Sequence, residues 1–177
     1  MATVTGGDRL KAALAKFGAG IGNATSVKVG FLEGSQELDG TSSPMVAAIQ
    51  EFGAPKKGIP PRPFFRAMIS KHSGEWPAEL AAILKEAKYD AAKSLDKMGS
   101  EIASELRQSI IDMNDPPLSP VTIMLRSMKN EYEGLPFYDK FKIAVARVQA
   151  GKSAKGASEK PLVDTRALLK NVDYIVK

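Results

Sequence analysis

Any catalysis by this chain would have to begin at His72, the only histidine, because none of the 177 residues is a cysteine. A Ser/His/Asp triad can be assembled only around that one imidazole, and neither a multi-histidine nor a thiolate metal site can be built. His72 lies in SKHSGEW, three residues before Glu75, so a proton-transfer pair can be drawn. General acid-base work also needs a pocket and a second positioned group, and the local sequence signals neither, so His72 reads as a surface residue. QAGKS at 149–153 ends as a phosphate loop ends, yet Ala146 stands where the first glycine belongs and no buried strand leads into it. It reads as a flexible basic loop. Glu79, Glu86, Asp90, Asp96, Glu101 and Glu105 lie among Lys85, Lys88, Lys93, Lys97 and Arg107, the pattern of a solvated helix face with ion pairs rather than a paired-carboxylate site. No catalytic residue, metal ligand or cofactor is assigned.

Anion recognition is the other chemistry on offer. Residues 54–71 hold five cations, Lys56, Lys57, Arg62, Arg66 and Lys71, and no acid. Such a patch suits phosphates, and Phe64 or Phe65 could stack on bases. Two adjacent phenylalanines at the start of an amphipathic helix more often anchor a core or an interface, so the charge is assigned to a surface and the rings to packing.

The elements that must position these residues follow from periodicity. Leu10, Ala13, Leu14 and Phe17 predict a short amphipathic helix over 8–18, and Val27, Val29 and Phe31 alternate as a half-buried strand. Residues 34–43 are polar and glycine-bearing, an exposed loop. Ser43 before Pro44 predicts a capped helix start, with Gly53 ending the helix. The prolines of PKKGIPPRP prevent regular pairing, and a helix begins after Pro63. From Trp76 to about Met113, Leu80, Leu84, Ala87, Ala91, Leu95, Met98, Ile102, Leu106, Ile110 and Met113 form one stripe. Unbroken, that helix would run roughly 50 Å, with Gly99 as its candidate bend. Ser119 before Pro120 opens another short helix, residues 129–160 read as a flexible excursion, and Asp164 or Thr165 can cap a last helix. Val172, Tyr174 and Val176 then alternate as a terminal strand. The expected fold is α+β in one domain. A small antiparallel or mixed sheet from strands near both ends is packed by one long amphipathic helix and several short ones.

Composition agrees with a folded domain: 44% of residues are hydrophobic and 25% charged, with a formal charge of +5. No apolar run reaches the length of a membrane span, and the N-terminus lacks a signal-peptide pattern, so cytoplasmic synthesis is expected.

VKVGF, IQEFGA, IPPRPFFR, LSPVTI and KPLVDTRALLKNVDYIV occur here in that order, from Val27 to Val176. In this the chain resembles neck and tail-component proteins of the virion morphogenesis group of tailed bacteriophages. It departs from them at Arg166, where the family's Asp-Thr-Gly signature has glycine. The resemblance implies a non-enzymatic virion protein, assembled in the host cytoplasm and placed at the head-to-tail junction. It would form a homo-oligomeric ring, hexamer or dodecamer, around the DNA channel. Its partners would be the head connector, the tail tube or terminator protein and packaged DNA, with no membrane. On this reading PKKGIPPRP is a stiff projection, and Phe52, Ile59, Arg62, Phe64, Phe65 and Arg66 are candidate subunit-interface residues. Lys56, Lys57 and Lys71 are candidates for the channel or another anionic contact. Residues 34–43 and 129–160 would serve as arms. The competing readings are a nucleic-acid-binding module using 54–71 and a small enzyme around His72.

Overall fold

The computed structural model describes residues 7–37, 40–164 and 166–177. Alternation of Val27, Val29 and Phe31 produces strand β1 (Val27–Phe31), which pairs antiparallel with β2 (Val172–Val176), Val29 facing Tyr174. The ribbon is extended by Lys177, whose amide donates to Ser26 and whose carbonyl accepts from Thr25. The chain is thus α+β, with the two strands drawn from near its two ends.

A two-stranded ribbon is marginal by itself and needs a helix on its apolar face. That helix is α5 (Ala91–Asp112), which carries Ala103, Leu106 and Ile110 into the core beside Val172, Leu168 and Leu162. The helix runs unbroken through Gly99. A Cβ at Gly99 would lie 2.5 Å from the Tyr174 ring and 2.7 Å from Val27, so the missing side chain is what lets the ribbon lie against the helix. The Tyr174 hydroxyl then donates to Asp96, one turn earlier on the same helix.

The expected single helix from Trp76 is in fact two, α4 (Trp76–Glu86) and α5, separated by a turn in which Lys88 and Tyr89 adopt positive φ. Asp90 restarts the helix: its side chain accepts from the Lys93 amide, and Asn23 donates to the same carboxylate oxygen. These hydrogen bonds, Asn23 first, hold the Asp90 carboxyl below its ordinary value. The apolar stripe hides the break because Leu84, Ala87 and Ala91 keep three-to-four spacing across the turn, which contains neither glycine nor proline.

α1 (Gly7–Ile21) precedes β1, and α2 (Ser43–Phe52) and α3 (Phe64–His72) follow it. Ser43 does not cap α2. Its hydroxyl is fully buried, donating to Glu37 and accepting from Asn171, which ties the start of α2 to the segment before β2. α6 (Pro120–Ser127) has the expected cap, Ser119 Oγ accepting from the Thr122 amide.

Within the expected excursion the chain builds a 13-residue helix, α7 (Phe137–Gln149). It packs on α6 through Met124, Met128 and Ala144, a second small core. The following segment is strapped down by Arg126, whose guanidinium donates to the carbonyls of Ser158, Lys160 and Pro161. The last helix, α8 (Ala167–Lys170), starts after Arg166 at φ 59°, the left-handed conformation that glycine adopts freely. Of its two candidate caps, Thr165 lies outside the described residues.

Candidate functional site

Between α2 and α3 the chain makes a tight, self-bridged turn. Ala54 and Ile59 exchange backbone hydrogen bonds of 2.8 and 3.2 Å around a single 3-10 turn, Pro55–Lys57. The expectation that prolines exclude pairing is corrected to this extent, because they flank the bridge instead of occupying it. Gly58 supplies the left-handed residue that closes the turn. Lys56 and Lys57 stand exposed at the tip, and among the described residues neither makes an ion pair.

The base of the turn is clamped from both sides. The Arg62 amide donates to the Gln50 carbonyl at 2.7 Å. Glu51, buried in the last turn of α2, accepts from the amides of Phe65 and Arg66 and from Arg66 Nε at 2.7 Å. One carboxylate therefore satisfies two open amides of the α3 N-terminus and pairs a cation there, where helix geometry favours negative charge. Residues 54–71 hold no acid, so the partner, Glu51, lies just outside the basic stretch. Only the turn's closure, bringing residue 51 against 65, reveals it.

Of the candidate interface residues, Phe64 and Arg62 belong to this chain's own interior. Phe64 is 1% exposed, its ring edge-on to Phe31 at 6.2 Å. Arg62 is 6% exposed and donates through Nε to the Pro116 carbonyl. Burial first, and the nearby Arg126 cation second, lower its pKa. Neither side chain is free for a neighbour, because an apolar ring at the start of α3 and a guanidinium beside an open carbonyl both find partners within the chain. Phe65 is half-buried, near Gly30, and Ile59 is half-buried in the turn. Phe52 is 65% exposed, with the Arg66 guanidinium 5.2 Å from its ring centre. Lys71 sits at the other end of α3 from the lysine tip.

That end borders a cleft of about 280 Å³ between α3 and α5, lined by Lys71, His72, Glu105, Gln108, Asp112 and Asp115 among others. His72 Nδ1 is 3.2 Å from Glu105 and 4.0 Å from Glu75. The closer partner is 33 residues away in sequence, which is why local reading offered only Glu75. Glu105 also accepts from the Trp76 indole at 2.9 Å, and the Ser109 hydroxyl is committed to the Phe64 carbonyl at 2.6 Å. The carboxylate thus joins the end of α3 and the start of α4 to α5. QAGKS closes a helix instead of opening one: Gly151, at positive φ, terminates α7, and the Lys152 amide donates to the Arg147 carbonyl.

The largest unsatisfied features are apolar. Every described side chain of α1 from Asp8 to Ala19 is exposed, including Leu10, Leu14 and Phe17, and Ile21 extends the stripe. At the start of α7, Phe137 is 73% and Tyr138 66% exposed, beside Leu135 and Phe141. Met45 joins Phe52 on α2. The α1 periodicity was legible as a helix, but nothing in the sequence said that its apolar face would stay uncovered. The α7 cluster lay in a stretch read as an excursion, although 137, 141, 144 and 148 keep helical spacing. Compared with protein-family models, curated proteins and solved structures, the chain shows no significant match.

Proposed function

We propose that this chain is a structural protein of the head-to-tail interface of a tailed bacteriophage, a neck or tail-completion protein. It forms a homo-oligomeric ring around the DNA channel and joins the head connector to the tail. The observation that carries this reading is the set of exposed large apolar side chains on α1, α2 and α7. Exposed apolar surface beyond what a monomer commonly shows marks sites of protein association, and a subunit in a ring requires two different patches, one for each neighbour. The order of the motifs from Val27 to Val176 points the same way. The lysine tip gives such a ring a compact, pre-ordered projection, with Lys56 and Lys57 free to meet phosphates or acidic partners.

The nucleic-acid-binding alternative is weakened by the fate of its cations. Arg62 is buried and Arg66 is paired with Glu51, which leaves Lys56, Lys57 and Lys71. The test is the mass of the purified protein, alone and mixed with head-connector and tail proteins, together with its location in imaged virions. A ring in solution or on a partner, and density at the collar, is the expected result. A persistent monomer in every mixture, or absence from the collar, overturns the proposal.

A further inference from the structure

The fold has two apolar centres, and no residue belongs to both. The main one gathers Phe64, Leu106, Ile110, Leu162, Leu168 and Val172 beside α5, while Met124, Met128 and Ala144 make the second between α6 and α7. The half-buried side chains packed against the small core, Val121, Tyr132, Ile143 and Ala154 among them, come from the α6–α7 hairpin and the segment that leaves it. A hairpin whose apolar residues cover one another has few left with which to hold the body.

What attaches it is polar and narrow. Among the described residues, Arg126 is the one side chain of α6 or α7 that hydrogen-bonds outside the hairpin: Nη1 donates to the carbonyls of Ser158 and Lys160 at 3.0 and 2.7 Å, and Nη2 to that of Pro161 at 2.8 Å. The body holds the segment that carries these carbonyls, through Lys160 Nζ on the Ile111 carbonyl and Leu162 in the main core. The seat itself is poorly filled. A cleft of about 440 Å³ is shared by Asp112 and Asn114 at the end of α5 and Ile123 on α6, and another of about 190 Å³ by Val46 and Gln50 on α2 and Arg126. Gln50 keeps a buried Oε1 with no hydrogen-bond partner. Arg62, whose pKa is lowered first by burial and second by Arg126, sets a like charge near the same attachment. Well-packed interiors leave few such gaps and unsatisfied groups, so the hairpin is seated on the body without being packed into it.

Both of its connections are free of helix and strand: residues 113–119 lead in, and 150–157, with Gly151 and Gly156 at positive φ, lead out. We infer that the α6–α7 hairpin is a hinged arm that swings as one body about these two connections, with Arg126 as the latch that holds it down. Its own core keeps the arm rigid while the joint opens, which is how a subunit moves one element without unfolding the rest. The inference goes beyond the ring reading and concerns the single subunit, whatever that subunit assembles with.

The absence of native cysteine allows spin labels at two exposed helix positions, Ser104→Cys on α5 and Ala146→Cys on α7, with the labelled chain diluted into unlabelled protein. Pulsed electron paramagnetic resonance should give one narrow distance when Arg126 is present. Adding Arg126→Ala should broaden that distribution at least twofold toward longer distances and leave the far-ultraviolet circular dichroism unchanged. A narrow distance that survives Arg126→Ala overturns the inference, and so does a broad one with Arg126 in place. Loss of the helical signal in Arg126→Ala would make Arg126 a support of the whole fold and overturns the latch. A urea titration of the labelled chain with Arg126 intact tests the hinge without that variant. The distance should lengthen at lower urea than the helical signal is lost, and a single coincident transition overturns the arm. None of these outcomes moves the mass of the assembled protein, on which the ring is tested separately.

Discussion

Gly99 shows how one missing side chain decides the packing of a whole layer. With Tyr174 and Val27 closer to its notional Cβ than any carbon can sit, Gly99→Ala must push the ribbon off α5. Overpacking of this kind costs about 1–3 kcal/mol, against the gain of up to about 1 kcal/mol that alanine brings to a helix interior. The expected outcome is a net loss of stability in denaturant unfolding, and an unchanged or higher midpoint would contradict the close approach. Glu51 makes a second point at this scale. The cations and rings of 54–71 do not announce it, because its role depends on a contact between residues 51 and 65 that no local pattern encodes. The core role of Phe64 was half legible: adjacent phenylalanines announced packing, but only the fold says that the first ring faces inward.

Among elements, the strands, the caps of α6 and the three-to-four stripe were readable, since each is set by alternation or by a local hydrogen bond. The division between α4 and α5 was not, because Lys88 and Tyr89 take left-handed backbone without a glycine and the stripe stays in phase across them. The restart at Asp90 depends on Asn23, another residue distant in sequence. It also makes this junction sensitive to acid. The folded carboxyl lies below its ordinary value of 3.8, so its stabilising contribution is present above that pH and is lost as pH falls through the folded value. Asp90→Asn keeps an acceptor but cannot titrate. The stability difference between wild type and Asp90→Asn should therefore narrow as the buffer is acidified below about pH 4. A difference that stays constant with pH would show that Asp90 does not titrate with folding.

For the whole molecule, charge counting separates the two readings of the basic segment. Each phosphate neutralised by a cation contributes about −0.9 to the slope of log binding constant against log salt. With Arg62 buried and Arg66 paired, the single subunit has three free cations in 54–71, so its slope on duplex DNA through this segment should be no steeper than about −3. Replacing Lys56 and Lys57 by alanine should flatten it by about two. A steeper slope that survives this replacement would place DNA on another surface. The α+β frame was legible because end strands and a long stripe leave few ways to close a core. The exposed faces were not legible, since a sequence announces that a helix is amphipathic without saying what lies opposite its apolar side.

The double clamp at the base of the 54–59 turn has a consequence for how such a protein can change over time. With the Arg62 amide held by Gln50 and the α3 amides held by Glu51, the geometry of both helices is settled below the tip. The charge or length of the tip can therefore be altered while the scaffold beneath it stays the same.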